Sequence, residues 1–251
     1  MSRSGPTVLV ILALAVLPAA SAVPAGEETS RPLLFSEDFT AELSLRWIPF
    51  TRPGPRITAA RGNPPPALDL AGSGRGRNGL LSKRRFNLAE GLVARADIFV
   101  PRAGGAAVCG GSLGFPRDPG DFRRGQWPEW LVGMSYEYIG DTDWSRGAIP
   151  EGGTLTCSLI DEDGRLEMVR RPYRNRWLGG WHTFEITIKA SGFVQFRVDG
   201  DLVYYSRNRL STAAPHLPLL LGHLSGRGGK VYLDNVEVRA YRPGPPPDGG
   251  E

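Results

Sequence analysis

The sequence predicts an all-β fold of two packed antiparallel sheets, and three observations lead there. The 251-residue chain carries 33 glycines and 22 prolines, and it has no long stretch rich in Ala, Glu, Lys and Leu. Many short strands joined by Gly/Pro turns fit that composition better than a helical or βαβ protein. Runs of period two recur: Val194, Phe196 and Val198 fall on one face, Gln195 and Arg197 on the other, as in a half-buried strand. Asp199-Gly200 and Asp163-Gly164 then supply tight turns, because Asp and Gly tolerate the positive φ a hairpin needs.

The elements follow in order. Residues 1–22 read as a secretory signal peptide, with Arg3 as a short positive region, Val8–Leu17 as the apolar region and Ala20-Ser21-Ala22 as the cleavage site. The apolar run is shorter than the roughly 20 residues a membrane-spanning helix needs, and no Cys follows it for lipid attachment. A secreted, periplasmic or extracellular protein with no transmembrane segment is expected. Cleavage removes Arg3 and no acid, taking the formal charge from +4 to +3. The arginines are scattered apart from Lys83-Arg84-Arg85 and Arg170-Arg171. That pattern suits a solvated basic face and argues against nucleic acid as a partner.

Residues 31–242 form one predicted domain, and 243–251 form a Pro/Gly tail expected to be disordered. Leu33–Phe39 is the first strand. In Leu43-Ser-Leu-Arg-Trp47 the two leucines and Trp47 are spaced for one face. Residues 49–66 are dense in Pro, Gly and Arg and read as irregular loop or edge structure. Strands are predicted at Ala67–Leu70, Leu80–Phe86, Leu92–Val100, Ala106–Leu113, Trp130–Tyr138, Leu155–Asp161, Arg165–Val169, Trp181–Lys189, Val194–Val198, Leu202–Tyr205, His216–Gly222 and Val231–Val238. On the central one, Trp130, Val132, Met134, Tyr136 and Tyr138 share a face; Leu131, Gly133, Ser135 and Glu137 share the other. On the last, Asp234 interrupts an apolar face of Tyr232, Val236 and Val238. Cys109 and Cys157 are the two cysteines. In an oxidising compartment they suggest one disulfide, stabilising by about 4 kcal/mol for so long a loop. The alternative is two free buried thiols.

Four segments carry a resemblance: Phe35-Ser-Glu-Asp-Phe39 with Trp47, Trp181-His-Thr-Phe-Glu-Ile186, Val194–Gly200 and Val231–Val238. In this order and spacing the chain resembles the concanavalin A-like lectin/glucanase superfamily, which includes laminin G-like, laminarinase-like and 3-keto-disaccharide hydrolase-like domains. The resemblance implies an antiparallel two-sheet jelly-roll sandwich with a concave face that holds saccharides, and it specifies fold rather than activity. It also implies a structural Ca²⁺ on the convex side, where the first and last strands meet. A core-facing carboxylate at Asp234 is costly unless it is hydrogen-bonded or holds a cation, and hard oxygen ligands suit Ca²⁺. Asp234 and Glu37 are therefore candidate ligands, completed by carbonyls near Glu37 and in Gly72–Gly79. The competing reading has Asp234 accepting backbone amides.

Laminarinase-type relatives carry Glu-x-Asp-x-(x)-Glu on one strand face, one carboxylate acting as nucleophile and another as acid. Here that face has only Glu137, beside Ser135 and Gly133. Jelly-roll polysaccharide lyases use Gln, His and Tyr, and their spacings are also missing. Gln126–Trp130 and Tyr136–Trp144 are nonetheless rich in Trp, Tyr and acid, which suits sugar stacking and hydroxyl binding. Glu137 is the catalytic candidate. Trp127, Glu129, Tyr138, Asp141, Asp143, Trp144, Arg146 and His182 are the substrate-binding candidates, and Trp130, Met134 and Tyr136 are assigned to the core. The three histidines show no metal-ligand spacing. A glycan-binding module is the leading reading. A glycoside hydrolase or polysaccharide lyase with an atypical site around Glu137, and a structural or adhesive exoprotein, are the alternatives.

Overall fold

The structure, a computed structural model, describes residues 31–49, 54–70, 75–100, 108–118, 129–139, 153–172, 179–213, 216–226 and 231–242. The elements are β1 (Leu33–Glu37), α1 (Leu43–Arg46), β2 (Trp47–Pro49), β3 (Arg56–Thr58), β4 (Ala67–Asp69), β5 (Arg75–Asn87), β6 (Leu92–Val100), β7 (Val108–Asp118), β8 (Glu129–Ile139), β9 (Thr154–Ile160), β10 (Leu166–Pro172), β11 (Gly180–Ile188), β12 (Val194–Val198), β13 (Asp201–Tyr205), β14 (His216–Gly226) and β15 (Tyr232–Ala240). They form two sheets, and every strand pairing is antiparallel. The eight-stranded sheet runs β13-β12-β11-β6-β15-β4-β3, with β1 also on β15; the seven-stranded sheet runs β10-β9-β8-β7-β14-β5-β2. Among the described residues, no helix is long and apolar enough to cross a membrane.

Alternation builds the core between the sheets. Phe184, Ile186 and Ile188 from β11 and Val194, Phe196 and Val198 from β12 are fully buried. From the other sheet come Leu113, Phe115, Val132, Met134, Tyr136, Leu155 and Leu159, all in one cluster with them. Each such side chain contributes about 1.5–3 kcal/mol by leaving water. The predicted β12–β13 hairpin forms at Asp199-Gly200, with φ of 52° and 81°.

Three expectations change. Leu43–Trp47 is not extended: α1 is a single helical turn, and only Trp47 is buried, while Leu45 is exposed. β5 begins at Arg75, ahead of the predicted start at Leu80, while the Pro-rich stretch keeps to edge structure as expected, with β3 as the last strand of its sheet. The expected disulfide is absent, because Cys157 is a free, buried thiol. The register gives the reason. Cys109 pairs with Tyr138 and Cys157 with Met134, on opposite sides of β8. An intervening strand puts backbones about 9–10 Å apart, beyond the reach of a bridge. Burial pushes the Cys157 thiol up to about 12, against a smaller opposing pull from Arg171.

Two of the β-bulges, on β8 and β15, alter which way candidate side chains point. Against β7, Phe115 pairs with Val132 but Pro116 pairs with Trp130, so Leu131 is an extra residue on β8. Leu131 and Val132 both enter the core, and Trp130 turns to the outer face instead of joining Met134 and Tyr136. Against β6, Asp234 pairs with Asp97 and Glu237 with Arg95, so β15 also gains a residue. Asn235 sits there at φ 47°, a conformation Asn tolerates better than most residues. Leu233, Val236 and Val238 face the core, and Asp234 faces outward with Asp97.

Candidate functional site

The outer face of the seven-stranded sheet is unusual for its small side chains. Gly79, Gly222, Ser112, Ser135 and Thr156 are successive register partners across β5, β14, β7, β8 and β9. At about 4.8 Å per strand this strip is about 19 Å long. The adjacent row reads Leu81, Leu220, Gly114, Gly133 and Ser158 on the same strands. Ser135 and Thr156 are half-buried, and Ser112 is 6% exposed. The strip is uncharged until Arg170, the exposed β10 partner of Thr156.

Trp130 defines the apolar end. Its ring lies over Gly133, where a Cβ would stand 2.7 Å from Cδ2 and 2.8 Å from Cε3, and a Cβ on Gly114 would stand 2.7 Å from Cζ3. Gly133 therefore leaves space that the indole occupies, whereas a Cβ on Gly114 would first meet the Val132 carbonyl at 2.4 Å. Leu81 and Leu220 pack beside it in a small cluster separate from the main core. Trp130 remains partly exposed. The arrangement is an aromatic side chain laid on a sheet face, next to hydroxyls and to glycines that are themselves buried.

The sequence candidates distribute as follows. Glu137 occupies the register position between Gly110 and Thr154, in the row beyond Ser135. Its side chain and that of Tyr138 lie outside the described residues, as do Trp127, Asp141, Asp143, Trp144 and Arg146 in full. Glu129 is exposed and accepts a hydrogen bond from Arg117 at 2.8 Å. His182 does not join the strip. It is on β11 of the other sheet, opposite Ile98, and its Nδ1 is 2.7 Å from Asp199. Trp130, which periodicity assigns to the core, is the residue sequence reasoning missed. The Gly at 133 and the second apolar residue at 131 are the local signals of its turn outward.

The expected cation ligands have other partners. Asp234 accepts the Asn63 N–H at 2.6 Å and the Asn235 N–H at 2.8 Å, one on each oxygen. Burial raises its pKa, the two amides oppose the rise, and the nearby Asp97 and Asp38 charges add to it. Glu37 accepts the Phe39 N–H at 2.9 Å and the Trp47 indole N–H at 3.1 Å, so it braces the first turn. Among the described residues no group of three or more His, Cys, Asp or Glu is placed to hold a metal. Both carboxylates are capped by N–H donors, and residues 72–74 of the loop expected to complete a shell lie outside the described residues.

No protein-family model matches the chain, and no curated protein sequence matches it. Solved structures do. A glycoside hydrolase family 16 endo-glucanase from Bacteroides ovatus, in complex with G4G3G-2F-DNP, superimposes with a TM-score of 0.57 at 12% identity, covering 82% of this chain and all of that one. The Bacillus licheniformis β-glucanase gives 0.55 at 10% identity, over 83% and 98% of the two chains. The chain has the concanavalin A-like jelly-roll fold. The potassium-bound carbohydrate recognition domain of Emp46p also shares this jelly roll, at TM-score 0.54 and 9% identity, over 80% and 92%. At these identities the likeness is one of fold.

Proposed function

We propose that this jelly roll binds a carbohydrate chain along the outer face of its seven-stranded sheet, without cleaving it, as a secreted protein. The observation that carries the reading is Trp130, laid over Gly133 and Gly114 at the end of the Gly/Ser/Thr strip. A pyranose can stack its apolar C–H face on the exposed side of an indole, while hydroxyls and backbone groups along the strip take its polar edge. The carbohydrate-related names of the structural neighbours support the same ligand class. Secretion rests on the predicted signal peptide.

Hydrolysis is the second reading, and Glu137 on this face favours it. Glycosidic cleavage needs a second carboxyl group about 5–9.5 Å away. The described residues of the strip supply none, and Glu129 is engaged by Arg117.

The test is a polysaccharide array with product analysis, run on the protein lacking residues 1–22 and on Trp130→Ala. Binding without products is expected, and truncating the indole should weaken it by at least about tenfold, as for a buried aromatic anchor. Cleavage products that vanish in Glu137→Gln would replace binding with hydrolysis. Unchanged binding by Trp130→Ala would remove the site from this face.

A further inference from the structure

A concave feature lies away from the strip, where β1, α1 and β5 meet. Its volume is about 410 Å³, and it is lined by Leu33, Leu34, Phe35, Ser36, Leu45, Arg46, Lys83 and Arg84. One wall is apolar and unusually open to solvent: Leu33 is 50% and Leu45 66% exposed. Phe35 stands between them and the interior, edge-on to Trp47 at 5.6 Å and to Phe86 at 5.9 Å. The apolar wall is thus continuous with the aromatic end of the core.

The other wall is cationic. Arg46 donates to the Ser36 carbonyl at 2.6 Å and stands 3.9 Å from Glu37. Lys83 donates to the Ser44 carbonyl at 2.6 Å. Arg84 leans on Phe86, 5.8 Å from the ring centroid. An ammonium has three N–H donors and a guanidinium five, so these bonds leave donors for a ligand. No carboxylate is among the lining residues. Exposed leucines facing three cations match a ligand that is negative at one end and apolar at the other.

We propose that this cleft binds a single-chain anionic amphiphile, an alkyl carboxylate. Its head group pairs with Arg46, Lys83 and Arg84, and its chain lies over Leu33, Phe35 and Leu45. The site shares no residue with the Trp130 strip, so it stands or falls independently of glycan binding.

The experiment is titration calorimetry of the full chain with decanoate, acetate and decyltrimethylammonium, each below its micelle concentration. Decanoate is expected to bind and the other two are not. Lys83 and Arg84 are exposed, so the double variant Lys83→Ala/Arg84→Ala should keep its melting temperature. It should bind decanoate at least about tenfold more weakly, the cost of losing charge-assisted bonds. Leu45→Asp tests the apolar wall separately and should have the same effect. Equal affinity for acetate, equal affinity for decyltrimethylammonium, or decanoate binding unchanged in both variants would each overturn the proposal. So would light scattering that finds a dimer lost in these variants, since that assigns the cleft to a second copy of the chain.

Discussion

At Cys157 a residue's chemistry is set entirely by its neighbours. Its side chain sits among Met134, Leu155, Leu159 and the rest of the core, and burial holds the thiol protonated, up to about 12. A thiol of that kind is inert. Native protein should leave Cys157 unmodified by a thiol reagent, and denaturant should release it. Dithiothreitol should leave the melting temperature unchanged, whereas losing a native bridge, worth about 2–5 kcal/mol, would lower it by several degrees. Asp234 is a second case. Its two oxygens are taken by amides of Asn63 and Asn235, and Asp97 beside it accepts from Asn63, Thr183 and Asn235 side chains. EDTA should therefore not shift the melting temperature. A fall that calcium reverses would make Asp234 a ligand. That Asp234 needed a partner was legible from its place in an apolar pattern. The partner itself was not, because Asn63 is 171 residues away and only the folded chain brings it there.

At the scale of the element, the bulges on β8 and β15 govern what those two strands present. Without the extra residue at Leu131, Trp130 would point into the sandwich with Met134; with it, the indole lies on Gly133. Gly133→Ala tests this relation. The new methyl would stand 2.7 Å from the ring, closer than real contacts allow, so the indole must move. Glycan binding should weaken nearly as much as in Trp130→Ala, with a changed near-ultraviolet circular dichroism spectrum and a cooperative melt retained. Unaltered binding would show that the flat pose of Trp130 is not what the ligand uses. Most strands and both Asp-Gly hairpin turns were legible as period-two runs and turn residues. The sense of β8 before residue 132 was not, since a bulge belongs to a pair of strands rather than to one.

At the scale of the molecule, Glu167 ties the two sheets together. It projects from β10 of the seven-stranded sheet and accepts four hydrogen bonds: from the Tyr204 hydroxyl at 2.5 Å, the Arg207 and Asn208 N–H groups at 2.8 and 3.0 Å, and the Asn208 amide at 2.8 Å. Tyr204 is on β13 of the other sheet. Burial by itself would raise the Glu167 pKa, and these four donors outweigh it and hold it below the usual range. Burial first, and then Glu167, push the Tyr204 phenol up to about 12. A depressed carboxyl stabilises above its unfolded pKa of about 4.3 and loses that contribution as pH falls through the folded value. A raised phenol stabilises below about 10 and loses its contribution as pH rises through about 12. Glu167→Gln should cost about 1–2 kcal/mol near neutrality. It should also flatten the acid limb of stability measured by denaturant titration across pH, and an acid limb identical to that of the parent protein would contradict this tie.

The amino-acid sequence by itself determined the class of fold and most of its strands. Period-two hydrophobicity and Asp-Gly turns are local properties, and two half-apolar sheets have one economical way to leave water. Tertiary pairing decided which strands neighbour one another and therefore that β8 separates Cys109 from Cys157. It also decided that Asp234 and Trp130 turn away from the core, because one added residue inverts every side chain before it. The candidate site is of this second kind. Gly79, Gly222, Ser112, Ser135 and Thr156 lie on five strands drawn from most of the chain, and only register makes them one surface.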